Sequence, residues 1–201
     1  KPVKWLSIKS TIAPSLNVTR FGEYRGLNTK SSRGEPGRIR SYYENYFNRS
    51  YTWDNVLNIN KEVVSGHNLN LSLISSLWNT VDESGMIQTR NFAYDGFGFF
   101  STQNGTDVRT FDSDYTEQTL LAYAARLNYN INDKYLITVT GRYDGSSKLA
   151  PGNKWSFFPS AAVAWRMSNE AFMQDIDFIS NLKLRASYGE SGNDAPFSPY
   201  H

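Results

Sequence analysis

The stretch LLAYAARLNYNINDKYLITVTGRYD, Leu120–Asp144, decides the fold. Tyr123, Ala125, Leu127, Tyr129 and Ile131 alternate with Ala124, Arg126, Asn128 and Asn130. After Asn132-Asp133-Lys134, a second run sets Tyr135, Ile137, Val139 and Tyr143 against Thr138, Thr140 and Arg142. Successive side chains of a strand point to opposite faces, so this period of two predicts strands with one apolar and one polar face. The tight link between the runs makes them a hairpin.

The same pattern extends both ways. Pro159, Ala161, Val163 and Trp165 oppose Ser160, Ala162, Ala164 and Arg166; Leu182, Leu184, Ala186 and Tyr188 oppose Lys183, Arg185 and Ser187. Upstream, Tyr51, Trp53, Leu57 and Ile59 share one side, and Leu69, Leu71, Leu73, Ser75 and Leu77 oppose Asn68, Asn70, Ser72, Ile74 and Ser76. A first strand from Trp5 to about Tyr24, with Pro14 as a bulge or edge irregularity, brings the expectation to seven. Ser168–Ile176 reads as a short helical turn with Ser168 at its N-cap.

Alternation alone fits a soluble sandwich as well as a membrane wall. The runs reach about ten residues, against about five or six in globular sheets, which suits a bilayer crossing. Connections alternate between tight turns and long stretches, Arg25–Ser50 and Asn79–Gln118 being the longest. Apolar-face aromatics gather near strand ends (Tyr51, Trp53, Tyr129, Tyr135, Tyr143, Trp155, Trp165, Tyr188), as girdle residues do. Composition agrees: the apolar share is 39%, low for a globular domain, yet the aromatic share is 15%. No run is long enough for a transmembrane helix. The net charge of +2, with scattered basic residues, gives no nucleic-acid stripe. There is no cysteine for a staple or thiolate metal site. Lys1 stands where a start Met would, so residue 1 is not expected to be a native translation start.

Three segments carry a family resemblance: RYDGSSKLAPGNKW (Arg142–Trp155), FPSAAVAWRMSNEAFM (Phe158–Met173) and NLKLRASYGESGN (Asn181–Asn193). In order and spacing this region resembles the SusC/RagA family of TonB-dependent transporters. The motif positions are Asp144, Gly145, Ser146, Ser147, Trp155, Pro159, Ser160, Trp165, Arg166, Gly189, Gly192 and Asn193. The resemblance implies an all-β fold: an antiparallel transmembrane β-barrel wall, about seven strands of an about 22-stranded barrel with long external loops. Residues 1–201 would then belong to one barrel domain, without the plug domain, TonB box and C-terminal strand. It further implies the bacterial outer membrane and its lipid, the TonB complex acting through the plug region, a SusD-like surface lipoprotein, and oligosaccharide or peptide cargo. In that orientation Asn132–Lys134 is a periplasmic turn and the Asp144–Lys154 loop is external.

Several motifs have a plain reading beside a functional one. The polar-face residues Arg126, Asn128, Asn130, Thr138, Thr140, Arg142, Lys183 and Arg185 are lumen-facing candidates. The cations among them either guide an anionic cargo or, the preferred reading, pair with carboxylates. Asp144-Gly145-Ser146-Ser147 is read as a loop, preferably one that caps a hairpin and otherwise one that meets lid or cargo. Tyr42, Tyr43, Tyr46, Phe47, Phe97, Phe99 and Phe100 form external aromatic clusters, equally suited to stacking on sugars and to packing loop on loop. DGFGFF (Asp95–Phe100) lacks the third glycine of a dinucleotide motif, and Asp112, Asp114 and Glu117 lack the spacing of a calcium loop. His67 and His201 stand far apart, and no carboxylate pair suits glycoside hydrolysis. No catalytic, metal or cofactor site is therefore expected. The alternative to membrane import is a soluble secreted β domain that binds or processes glycans. In that case Leu69, Leu71, Ile137, Val139, Val163 and Leu182 would pack under a second protein layer.

Overall fold

A computed structural model of the chain describes residues 3–174, 176 and 178–194. Seven strands form one sheet in sequence order: β1 (Leu6–Arg25), β2 (Arg40–Val64), β3 (His67–Phe92), β4 (Gly105–Ile131), β5 (Tyr135–Ser146), β6 (Trp155–Arg166) and β7 (Lys183–Gly189). β1 and β7 are the edges, so the sheet is open. Pro14, which has no N–H for a ladder, lies in an edge strand as expected. No helix among the described residues is long and apolar enough to cross a membrane.

The antiparallel register of β4 to β7 keeps the two faces apart. Leu127 pairs with Val139, which pairs with Ala161, which pairs with Tyr188. One step along, Asn128 pairs with Thr138, Thr138 with Ala162 and Ala162 with Ser187. A slip of one residue would exchange these sets, so the alternation itself fixes the pairing. Asn132 and Asp133 take positive φ in the tight turn, a conformation that Asn and Asp tolerate.

The chain forms two compact units. The first comprises Lys1–Ala13, Thr52–Asn79 and Gln118–His201. It holds the alternating runs, and its apolar face lies open: Ile137, Val139, Val163 and Leu184 are all exposed. A face of β-branched and aromatic side chains with no second layer over it is unsuited to water. On β5 it extends from Tyr135 to Tyr143 and on β6 from Trp155 to Trp165, the roughly 9–11 residues a tilted strand needs to cross a bilayer.

The second unit comprises Pro14–Tyr51 and Thr80–Glu117. Here the expectation of long loops is corrected. Residues 40–50, 80–92 and 105–117 continue β2, β3 and β4, which reach 25, 26 and 27 residues. The loops proper are residues 26–39 and 93–104. At positions that continue the alternation of the apolar face, charge takes over. Arg49 bonds Glu83 at 2.9 Å, and the Tyr115 hydroxyl donates to Glu117 at 3.2 Å. Strands outside hydrocarbon need no apolar stripe, so the pattern stopped while the strands did not. The core of this unit forms where loop meets strand: Ile39, at the end of the first loop, and Phe92, at the end of β3, are each 1% exposed.

Three smaller expectations also change. Asp144, Gly145 and Ser146 belong to β5, and of that motif Ser147 alone lies in the loop. Ser168 is no N-cap: two one-turn 3-10 segments, Met167–Asn169 and Ala171–Met173, begin after Arg166 and Glu170. Tyr188 ends a short strand but pairs with Ala161, level with the middle of the apolar band and away from its rim.

Candidate functional site

The polar face of the first unit is a hydrogen-bonded surface built strand by strand. Thr138 donates to Asn128 Oδ1 at 2.9 Å, the Asn128 amide donates to Asn70 at 3.2 Å, and Asn70 donates onward to Asn60. Ser72 donates to Asn58 at 2.6 Å, and Ser76 to Asp54. Such side-chain ladders link β2 to β5 while leaving further amide and hydroxyl capacity open. A hollow of about 380 Å3 beside Asn60, Asn68, Asn70, Asn128, Asn130 and Thr138 lies on this band. Asn130 also donates to Asp133 at 2.5 Å, while its own oxygen has no hydrogen bond among the described residues.

The cations on this face are treated unequally. Arg142 Nε sits 2.7 Å from Asp144, two residues along the same strand. Arg126 reaches no carboxylate and approaches Asn128 Oδ1 at 3.4 Å. Among the described residues Lys183 and Arg185 make no ion pair either. The preferred expectation is pairing with carboxylates on the plug or on neighbouring strands; the one ion pair formed here by these four cations among the described residues, Arg142 with Asp144, is instead within β5. Arg126 borders a hollow of about 320 Å3 floored by small side chains: Thr140, Ser160, Ala162, Ser187 and Gly189.

Several family-motif positions gather where β5 and β6 meet their loop, on both faces of the sheet. Gly145 pairs with Trp155, and a Cβ on Gly145 would come within 2.7 Å of the indole. The bare glycine lets the ring lie across the strand and stack on Tyr143 at 4.8 Å and Tyr123 at 6.4 Å. Each such pair adds about 0.5–1.5 kcal/mol beyond its buried area. Gly192 accommodates the Phe158 ring, and Gly189 faces Ser160, the residue after Pro159 on β6. Ser146 donates to Asp194 at 2.7 Å, and the Ser147 amide to the Thr119 carbonyl at 2.9 Å. Asp144, Ser146, Lys154, Ser156, Asn193 and Asp194 surround a pocket of about 400 Å3 floored by Phe158. Residues from all three motifs thus line one pocket.

At the other end, sequence reasoning missed Glu170. Its carboxylate accepts from Lys134 Nζ at 2.8 Å, Tyr135 Oη at 2.9 Å and Trp165 Nε1 at 3.0 Å. These three donors, led by the Lys134 ammonium, hold its pKa down at about 2. A lone Glu in a connection gives no signal in alternation or in helix capping. Arg166, the motif position after Trp165, pairs with Lys183 on the polar face.

In the second unit the aromatic clusters pack loop on strand. The Phe99 ring lies on Gly22 and stacks with Tyr43 at 6.3 Å, Phe100 lies 4.3 Å from Phe99, and Arg20 sits over the Phe100 ring. Phe97 meets Phe92, Tyr42 meets Phe21, and Tyr46 donates to Asp82. Asp95 ties the two loops together by accepting from the Leu27 amide at 2.8 Å and from Tyr24 at 3.0 Å. The Leu27 amide above all lowers its pKa. The DGFGFF segment is thus a packing clamp. Asp112, Asp114 and Glu117 lie on β4, not in a loop, and no metal-binding group of three occurs among the described residues. His67 Nδ1 lies 2.9 Å from the Tyr129 hydroxyl, while His201 is outside the described residues.

A two-faced wall of this length and register matches, over residues 5–199, the model of the family described as TonB dependent receptor-like, beta-barrel. The chain belongs to that family. TonB-dependent receptor P26 of Formosa agariphila is 32% identical over 98% of this chain and 20% of its own length. TonB-dependent receptor SusC of Bacteroides thetaiotaomicron is 44% identical over 38% of this chain and 8% of its own. In fold, the chain superposes on the RagAB peptide importer in its open-open state with a TM-score of 0.88, at 20% identity, covering 100% of this chain and 22% of that one. The chain therefore spans about a fifth of the length of P26. It is a SusC/RagA-like TonB-dependent β-barrel wall of the outer membrane, and its exposed apolar face is the lipid face.

Proposed function

We propose that this wall serves TonB-driven nutrient import, with oligosaccharide as the cargo and a SusD-like lipoprotein as the surface partner. The observation that carries the reading is the polar face opposite the lipid face. There Asn58, Asn60, Asn70, Asn128 and Thr138 form a continuous hydrogen-bonding band. Amide and hydroxyl groups that both donate and accept suit sugar hydroxyls, and they stay in place because each is held by a neighbouring strand. On this reading the face lines the lumen, and Arg126, Asn128, Asn130, Thr138, Thr140, Arg142, Lys183 and Arg185 contact cargo or the plug. The wall does no covalent chemistry: energy arrives through TonB, and selectivity comes from polar groups lining the path.

Against the soluble alternative stand the match to a TonB-dependent barrel family and, among the described residues, the exposure of Ile137, Val139, Val163 and Leu182. The test uses the full-length transporter in its native host. Deleting its gene should abolish growth on one class of oligosaccharide, and complementation should restore it. Co-purification should recover a surface lipoprotein. Unchanged growth on every glycan, together with lost uptake of peptides, would replace the cargo assignment and leave the import reading standing.

A further inference from the structure

In the connection between β6 and β7, residues 167–174 turn toward the lipid face through Glu170 and Phe172, and their construction implies a specific lipid contact. Three bonds hold the connection: one between its own two ends, one to the hairpin turn, and one that closes β6 onto that turn. The Ser168 amide donates to the Leu182 carbonyl at 3.2 Å, the Asn169 amide side chain to the Asp133 carbonyl at 3.1 Å, and the Arg166 amide to the Lys134 carbonyl at 2.7 Å. Glu170 then binds the polar ends of Tyr135 and Trp165, the lipid-face aromatics that close the band on β5 and β6. Girdle rings usually present those polar ends to water and headgroups; here both are satisfied within the protein. The same clamp sets Phe172 edge-on to Trp165 at 6.3 Å, still 60% exposed, while Met173 is buried. Phe178, further along, is 87% exposed. Two phenylalanines so exposed beside a membrane band are suited to the lipid interface.

Beside the clamp lies an apolar groove of about 400 Å3 on the lipid face, walled by Tyr135, Ile137, Val163, Trp165 and Leu184, with Ala186 among its small lining residues. Val163 pairs with Ile137 on one side and Ala186 on the other, so the groove follows from a small residue on β7 where its neighbours are large. No charged side chain lines it. Lys134, at the turn beyond Tyr135, uses one bond on Glu170, and an ammonium carries three donors.

We infer that this rim holds one phospholipid: an acyl chain in the groove, the phosphate at Lys134, and Phe172 and Phe178 seated in the interface. The occupant follows from the groove's continuity with the lipid face and from the cation at its mouth. The inference rests on the membrane placement and is independent of cargo.

The test uses the full-length transporter in phospholipid vesicles and, separately, purified in detergent. A nitroxide on Phe172→Cys, in a background without other cysteines, should be several-fold more accessible to oxygen than to a polar nickel reagent. The same label on Phe100→Cys should show the reverse. Ala186→Phe, which fills the groove without placing charge in the membrane, should lower by about one the phospholipids retained per barrel. Diacylglycerol of the same chain length should compete several-fold less well than phospholipid. A water-exposed label at 172, retention unchanged by Ala186→Phe, or equal competition by diacylglycerol would each overturn it. Heat-modifiable mobility on gels confirms that each variant has folded, and import assays on the same variants keep the cargo reading separate.

Discussion

Val139 and Ala162 lie level with each other on opposite faces, and a single charge placed at each should have opposite consequences. Val139 is at the middle of the β5 band, between Tyr135 and Tyr143, paired with Leu127 and Ala161, and 48% exposed on the lipid face. Ala162 pairs with Thr138 and Ser187 on the polar face. Val139→Arg puts a guanidinium near the bilayer midplane, where such a charge costs roughly 2–4 kcal/mol. With about 1.4 kcal/mol for each factor of ten, that is a loss of roughly thirty-fold to several-hundred-fold in the folding equilibrium. Ala162→Arg meets water and polar side chains and should cost under about 1 kcal/mol, as a lumen-facing change does. The gradient adds an internal check: Tyr143→Arg, at the rim, should cost about 0–1 kcal/mol for the charge itself. Urea titration of the full-length transporter in vesicles, read by heat-modifiable mobility, measures all three. Equal costs at Val139 and Ala162, or a larger cost at Ala162, would refute the assignment of faces.

Three further outcomes follow from particular contacts. Gly145→Val should destabilise the barrel by about 1–3 kcal/mol, the usual cost of overpacking, because its Cβ would strike Trp155; Gly141→Ala, 3.1 Å from the Phe157 ring, should cost less in the same titration. Glu170 has a folded pKa of about 2 against an ordinary 4.5, so its contribution is complete above about pH 4.5 and disappears as pH falls toward 2. Glu170→Gln should flatten that acid limb and leave a barrel less stable at neutral pH, and a variant whose acid limb matched the parent would disprove the linkage. Asp95→Ala should release the Leu27 and Gly96 amides and speed their hydrogen exchange several-fold, with amides of β5 as unchanged controls.

The membrane-crossing part of the fold was legible because hydrocarbon imposes a pattern. Leu127, Tyr129, Ile137 and Val139 are apolar since lipid demands it, and their alternation sets strand, face and register together. Outside the bilayer that demand ends. Arg49, Glu83 and Glu117 continue their strands with no apolar stripe, so residues 40–50, 80–92 and 105–117 looked like loops. The site was legible to a similar degree. The polar-face set emerged from the same alternation, and the motif glycines from the family resemblance. That Gly145 and Gly192 serve as seats for Trp155 and Phe158 depends on which same-face residues meet, and alternation excludes a slip of one residue but not a slip of two. Glu170 was invisible for the same reason: its three donors come from residues 134, 135 and 165.

The positions of these glycines bear on how such a wall can change cargo without losing its fold. Large rings lie over bare backbone at the Gly145–Trp155 contact on the lipid face and at the Gly192–Phe158 contact on the polar face, and each joins neighbouring segments of the wall. A substitution at either contact is felt by both segments at once, as overpacking in any close-packed interior is. The amide band from Asn60 to Thr138 is different, because each bond joins two side chains on neighbouring strands and no backbone depends on it. Exchanging Asn128 for Ser or Gln alters its three side-chain bonds, to Thr138, Asn70 and Arg126, each a matter of about 1 kcal/mol, while the ladder of main-chain bonds beneath stays intact. The lipid face and the glycine seats therefore hold the wall together, and the polar band is the part whose side chains can change at least cost to the fold.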